Sequence, residues 1–174
     1  VRTLFLAHHA SALTAPSNDD FNRKLSELGL RQSQSMGGLA LQHSPSLEGI
    51  YASSSARTKS TTQFICAILN IKEGINFDLD YYQASRKMMV EKLCQISTRL
   101  KNIFIVAHNP GVTQLLNFLC PNQAAHLDPA DIVHIEFNEI AWNEITEDSG
   151  IFAGEYLLGI RNYIICVQRL VKQY

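Results

Sequence analysis

Two apolar runs of strand length each end on a histidine. Leu4-Phe5-Leu6-Ala7 leads into His8-His9, and Ile103-Phe104-Ile105-Val106-Ala107 leads into His108-Asn109-Pro110-Gly111. Runs this short, with no polar alternation, suit strands buried on both faces of a parallel sheet. Open sheets of that kind bind ligands beyond the carboxyl ends of their strands. The two runs therefore predict an α/β fold, and they bring histidines from distant parts of the chain to one sheet edge.

The remaining pattern fits that frame. Strand 1 is read as Thr3 to Ala7, followed by a polar loop from Ser11 to Asn22. Helix signals run from Leu28 to Gln42, with Ser26 as N-cap, and Ser44-Pro45-Ser46 breaks the chain. Gly49 to Ala52 reads as a buried strand ending in Ser53, Ser54 and Ser55. A second helix covers Ala56 to Leu69, where Ile65, Ile68 and Leu69 mark the apolar stripe. Phe77 to Leu79 reads as a brief strand, Met88 to Leu100 as a helix, and Pro110 to Leu119 as a short helix with Asn109 as N-cap. Three further strands are expected at Ile132 to Phe137, Glu139 to Ile145 and Glu155 to Ile160, and Asn162 to Lys172 closes the chain as helix or strand. Strands alternating with helices predict a layered α/β fold with right-handed crossovers in one domain, residues 1–174.

Composition narrows the functions open to such a chain. Its net charge is −1, with no surplus of Lys and Arg to follow a nucleic-acid backbone. Its apolar stretches are strand length, so no membrane span is expected. The sequence opens on a strand pattern with no basic region or cleavage site ahead of it, so no signal peptide is expected. Cys66, Cys94, Cys120 and Cys166 are widely spaced and form no CxxC pair. That pattern favours buried, reduced thiols and a cytoplasmic location.

Three groups are candidates for chemistry. His9 at a strand end could attack phosphorus or act as a base near neutral pH. Arg57 follows a strand and a serine run, and its planar fork suits phosphate oxygens. Ser53 to Ser55 and the helix start behind them add anion donors. His108 precedes a tight strand-to-helix junction and could stabilise charge on a transferring phosphoryl group. Taken singly, each also fits a structural role. Together they form a cationic cup at three strand ends.

The same residues carry a resemblance. Ala7-His8-His9-Ala10 resembles the opening motif of the histidine phosphatase (phosphoglycerate mutase-like) superfamily. Ser54-Ser55-Ala56-Arg57-Thr58-Lys59-Ser60-Thr61 is similar to its second motif, and Val106-Ala107-His108-Asn109-Pro110-Gly111 to the Gly-His-Asn-Pro form of its second histidine. That form and the short chain point to the SixA-like phosphohistidine phosphatase branch. Arg23-Lys24-Leu25-Ser26-Glu27-Leu28-Gly29, Tyr82-Gln83-Ala84 and Trp142-Asn143-Glu144-Ile145 are similar to further stretches of that branch. The resemblance implies a three-layer sandwich with a mostly parallel central sheet flanked by helices. It implies a phosphatase that needs no metal or other cofactor, with His9 as the phosphorylated nucleophile. Arg57 and His108 would act as the other catalytic residues, with His8, Arg57, His108, Ser55 and Asn109 binding phosphate. The implied partner is a phosphorylated protein, such as a histidine-containing phosphotransfer domain, or a small phosphorylated substrate.

The sequence departs from that pattern in two places. His8 stands where the superfamily carries Arg, so a permanent charge is replaced by a group with an ordinary pKa of about 6.5. Weaker phosphate binding that improves toward mildly acidic pH is the expected consequence. A second placement is open, because adjacent residues on a strand point to opposite faces and His8 could pack away from the site. No separate acidic proton donor stands out: Asp78, Asp80 and Glu91 have no motif around them. A phosphoamidate needs such an acid less than an ester does, since its leaving nitrogen departs as neutral imidazole once protonated. Two other readings are a phosphate-binding module of the same fold with weakened catalysis, and a metal hydrolase built on His8, His9 and His108. His43, His126 and His134 are expected to be structural, with His134 facing water, and Trp142 is expected to pack.

Overall fold

A computed structural model describes residues 1–14, 18–43, 46–123 and 125–159. The expected closing element at Asn162 to Lys172, the residues Ser44 and Pro45, and Cys166 lie outside them. Among the described residues six strands form one sheet: β1 (Arg2–His8), β2 (Gly49–Ser53), β3 (Ile75–Asp78), β4 (Asn102–Ala107), β5 (Ile132–Phe137) and β6 (Ile151–Tyr156). Their order is β3-β2-β4-β1-β5-β6. The first four are parallel to one another, and β5 and β6 run antiparallel at the far side. Four helices of the described residues cover the faces: α1 (Glu27–His43), α2 (Ala56–Leu69), α3 (Arg86–Cys94) and α4 (Gly111–Leu119).

The continuous apolar runs of β1 and β4 are explained by this layering. Leu4 and Leu6 pack with Ile103, Ile105, Val133 and Ile135 beneath Met89 and Leu93 of α3 and Leu115 and Leu119 of α4. The intervening Phe5 and Ala7 pack on the opposite face with Ile50, Phe104 and Val106 against Met36 of α1 and Ile65 of α2. Both faces of the central strands are dry, so neither tolerates polar alternation. No helix among the described residues is long and apolar enough to cross a membrane. Cys66 and Cys120 are buried free thiols, and Cys94 is half-buried and free.

Local signals set most of the boundaries. Ser26 caps α1, its Oγ accepting from the Gly29 N–H at 3.0 Å. Helix α2 ends at Asn70, which turns the chain in the left-handed region with φ 54°. Other boundaries differ from the sequence reading. Helix α3 begins at Arg86, because Ser85 accepts from the Met88 N–H, and it stops at Cys94 rather than Leu100. Helix α4 begins at Gly111 with Pro110, not Asn109, as its cap residue. The brief strand β3 starts at Ile75, and Leu79–Tyr81 is a 3-10 turn.

The strand expected at Glu139 to Ile145 is absent, and Trp142–Glu144 forms a 3-10 turn there. Trp142 is fully buried, its indole N–H donates to the Leu100 carbonyl at 2.8 Å, and its ring packs edge-on to Phe137. Seating that side chain in the core turns the segment out of the sheet. The last described strand lies at Ile151–Tyr156, earlier than Glu155 to Ile160, and as an edge strand it is half-buried at alternate residues and exposed at the others. His134 does not simply face water either. Its ring stacks on Phe5, with centroids 4.7 Å apart.

Candidate active site

The carboxyl ends of β1, β2 and β4 lie side by side, with His8 paired to Ala107 and Ala52 to Val106 in the sheet register. The residues that follow, His9, Arg57 at the start of α2, and His108, meet above that edge. With His8, Ser11, Asp20, Arg23, Gln83, Asn109 and Pro129 they line a cavity of about 480 Å³.

Arg57 is the centre of the arrangement. It is almost entirely buried. Its Nε donates to His9 Nε2 at 3.0 Å, and its Nη2 lies 3.2 Å from His108 Nδ1. A guanidinium only donates, so both ring nitrogens must present lone pairs to it. Each ring therefore carries its proton on the far nitrogen. His9 Nδ1 donates to the Ala10 carbonyl at 2.8 Å. His108 Nε2 faces three buried hydroxyls, Ser53 at 2.8 Å, Thr58 at 3.2 Å and Ser55 at 3.3 Å. One arginine thus selects the tautomer of both imidazoles and leaves His9 with a bare Nε2, the form a nucleophile needs.

The backbone around His9 is held as firmly. The Ala10 N–H donates to Thr61 Oγ1 at 3.1 Å, and that hydroxyl donates to the Arg57 carbonyl at 2.9 Å. Ser11 N–H donates to Gln32 Oε1 at 3.0 Å. Helix α2 therefore positions the neighbour of His9 as well as Arg57.

Burial keeps the imidazoles neutral. Desolvation pushes His9 well below the usual histidine range, and the nearby His8 and His108 push it the same way. Desolvation lowers His108 to about 3, aided by Arg57, and lowers His8 to about 4 against the favourable Leu127 carbonyl. The permanent positive charge of the cup rests on Arg57 and Arg23.

Each residue expected at the site can now be placed. His9, Arg57 and His108 converge. His8 also reaches the cavity: its Nδ1 lies 3.1 Å from the Leu127 carbonyl, and its ring meets that of His9 edge to face at 4.5 Å. The expected pH response from His8 moves down, because a group with a pKa of about 4 is neutral at mildly acidic pH. Asn109 lines the cavity, with its Nδ2 turned to Leu127 and His8 and its Oδ1 accepting from Thr113 Oγ1 at 2.7 Å. Ser55 is fully buried behind His108, sharing its hydroxyl with Thr58 at 3.0 Å, and is not among the cavity-lining residues. Asp78 and Asp80 are away from the cavity, both paired with Lys92, at 2.6 and 2.7 Å.

Asp20 and Tyr82, which hold Arg57 in place, are given no site role by the sequence reading. Asp20 accepts from Arg57 through its carbonyl at 2.6 Å and through Oδ2 at 3.0 Å. The Tyr82 hydroxyl donates to the same Oδ2 at 2.7 Å, and its ring stands edge-on to His108. Asp20 sits in an irregular polar loop, where nothing in its spacing marks it. Tyr82 lies in a stretch noted for similarity, which gave its place in the chain and no more.

The metal-hydrolase reading finds no support in this geometry. A cationic guanidinium stands between His9 Nε2 and His108 Nδ1, on the lone pairs a metal would use. Among the described residues no cluster of His, Cys, Asp and Glu is arranged to hold a metal ion.

No protein-family model and no curated protein matches this sequence. Solved structures do share its fold. A protein named as phosphohistidine phosphatase SixA of Nakamurella multipartitia superposes with a TM-score of 0.77 at 18% identity, covering 89% of this chain and 95% of that one. The protein histidine phosphatase SixA complexed with tungstate superposes at 0.75 with 19% identity, covering 90% and 97%. A mycobacterial glucosyl-3-phosphoglycerate phosphatase superposes at 0.65 with 14% identity, covering 87% and 98%. The chain has the three-layer, mostly parallel fold of these phosphoglycerate mutase-like proteins.

Proposed function

We propose that this protein is a histidine phosphatase whose nucleophile is His9, acting without a metal on phosphohistidine in a protein. The observation that carries the reading is the Arg57 guanidinium donating at once to His9 Nε2 and toward His108 Nδ1. It prepares a neutral nucleophile and places a fixed cation where phosphoryl oxygens would gather. The likeness to SixA proteins, one of them holding tungstate, supports the same reading.

In the first step the His9 Nε2 lone pair forms a bond to phosphorus while the substrate's N–P bond breaks. The electron pair stays on the leaving nitrogen, which takes a proton from solvent and departs as neutral imidazole. As Nε2 commits its lone pair to phosphorus, the Arg57 Nε–H is released to a phosphoryl oxygen. His108, His8 and Asn109 border the same space. In the second step water attacks phosphorus, loses a proton, and returns the electron pair to His9 as phosphate leaves. Ser55, with Ser53 and Thr58, supports His108 from behind. The substrate class follows from the leaving group: among the described residues lining the cavity no protonated acid stands ready to serve an alkoxide, and a phosphoamidate needs one least. A phosphotransfer protein or a small phosphorylated compound would present such a group. The buried thiols of Cys66 and Cys120 suit a reducing compartment such as the cytoplasm.

One observation favours a second reading, a phosphate-binding module with weakened catalysis: His8 is neutral where an arginine would carry charge. Phosphate release from a phosphohistidine peptide and from p-nitrophenyl phosphate, with EDTA present, separates the two. Release by the wild type that His9→Ala abolishes supports the phosphatase. Phosphate binding without release supports the module.

A further inference from the structure

Arg57 directs both imidazoles, and something must direct Arg57. Its guanidinium is planar, so gripping one edge fixes where the other edge points. Asp20 supplies that grip with two acceptors, its carbonyl on Nη1 at 2.6 Å and its Oδ2 on Nη2 at 3.0 Å. Asp20 is itself held from two sides. The Tyr82 hydroxyl donates to Oδ2 at 2.7 Å, and Arg23 Nε approaches Oδ1 at 2.9 Å. The guanidinium also lies under the Tyr82 ring, 5.9 Å from its centroid. We infer that Asp20 is a positioning residue of the phosphatase site, acting through Arg57 and held in register by Tyr82. The inference rests on the phosphatase reading above.

A proton-donor role does not suit Asp20. The Tyr82 hydroxyl and Arg57 hold its carboxyl below the usual range, so it is ionised wherever the protein is folded near neutral pH. An ionised carboxylate has no proton to give. Its side chain is also 41% exposed on the cavity wall, where it repels a bound phosphoryl group. The same residue therefore opposes ground-state binding while it aligns the cation that acts in the transition state. Interactions of this sort raise kcat at the expense of affinity. That combination separates a positioning role from a merely structural one, which would change turnover, affinity and stability together.

The test measures kcat and KM on a phosphohistidine peptide and on p-nitrophenyl phosphate, and Kd for inorganic phosphate, for the wild type, Asp20→Ala, Asp20→Asn, Tyr82→Phe and the Asp20→Ala/Tyr82→Phe pair, with His9→Ala as the blank. Asp20→Ala is expected to lower kcat about a hundredfold, the scale of a misaligned catalytic group, while phosphate Kd stays level or tightens. Asp20→Asn, which keeps acceptors for Arg57, is expected to recover part of kcat. Tyr82→Phe is expected to lower kcat by less, and the pair to be no worse than Asp20→Ala alone, because the two act in series. Unchanged kcat in Asp20→Ala beside His9-dependent turnover in the wild type overturns the inference and leaves the phosphatase standing. Parallel losses of kcat, phosphate affinity and thermal stability in Asp20→Ala overturn it as well. If Asp20→Ala does not fold, unchanged kcat in Tyr82→Phe overturns it. Absence of His9-dependent turnover in the wild type overturns the phosphatase reading, and this inference with it.

Discussion

The rings of His8 and His9 meet edge to face at 4.5 Å, although they are neighbours in the chain. Two adjacent residues within a strand would point to opposite faces. Here β1 ends at His8. His9 is already in the loop, turned by its Nδ1 bond to the Ala10 carbonyl, so both rings border the same cavity. The end of β1 is thus occupied by an uncharged ring packed on that of His9.

Replacing that ring with a permanent cation should therefore strengthen phosphate binding. We expect His8→Arg to tighten inorganic phosphate about tenfold at pH 7, the scale of one charge-assisted hydrogen bond. The wild type should also gain affinity toward acid. His8 has a pKa of about 4 when free, and a bound anion raises it, so binding takes up a proton and strengthens as pH falls toward that value. Calorimetric titration of both proteins between pH 7 and 4.5 isolates this term, because phosphate's own ionisation is common to the two. Parallel pH profiles would show that His8 does not face the phosphate.

Arg57→Lys tests the fork rather than the charge. A lysine ammonium cannot donate along one plane to His9 Nε2 and His108 Nδ1 while also answering Asp20. We expect kcat/KM to fall by about 10² to 10³, the usual cost of removing one aligned transition-state donor. Phosphate release assays measure it. A loss confined to KM would mean that the guanidinium serves binding alone.

The buried imidazoles also predict how stability changes with pH. The folded pKa of His8 is depressed to about 4 and that of His108 to about 3, against an ordinary value of about 6.5 in the unfolded chain. Below pH 6.5 the unfolded chain takes up protons that the folded protein refuses. Their contribution is present in full above pH 6.5 and is lost as pH falls through about 4 and then about 3. Urea unfolding at pH 7, 6, 5 and 4.5 should show a falling midpoint, and His8→Gln should flatten that fall. A midpoint that holds level to pH 4.5 would mean that the rings are not desolvated.

The strand ends were legible because period and length alone say where an apolar run stops, and His9, Arg57 and His108 all follow such stops. The helix spans of α1 and α2 were legible for the same reason, each being a long patterned segment with a serine or breaker at its edge. Asp20 was not legible. It reaches Arg57 only because a polar loop folds back over the sheet edge, and loops carry no period. Ser55 was legible as a neighbour of the site, but the packing of the first turn of α2 set its hydroxyl behind His108. Trp142 lies in a segment rich in apolar residues that reads as a strand. Its indole finds a deeper place in the core and a carbonyl partner at Leu100, and tertiary burial overrides the local pattern.

Gly29 links the fold to the chemistry. It stands in the first turn of α1, and a Cβ there would lie 1.9 Å from the Ser11 carbonyl oxygen. That oxygen cannot retreat freely, since it accepts from the Ser26 N–H at 3.0 Å and from Ser26 Oγ at 3.2 Å. Gly29→Ala must therefore displace the chain at Ser11, one residue beyond the Ala10 carbonyl that holds the proton of His9 Nδ1. Overpacking of this kind costs about 1–3 kcal/mol. We expect that loss in urea unfolding together with a drop in kcat. Gly38→Ala, on the same helix with nothing within 4 Å of the added methyl, is expected to leave kcat unchanged. Equal kcat in the two variants would mean that Ser11 can move without disturbing His9.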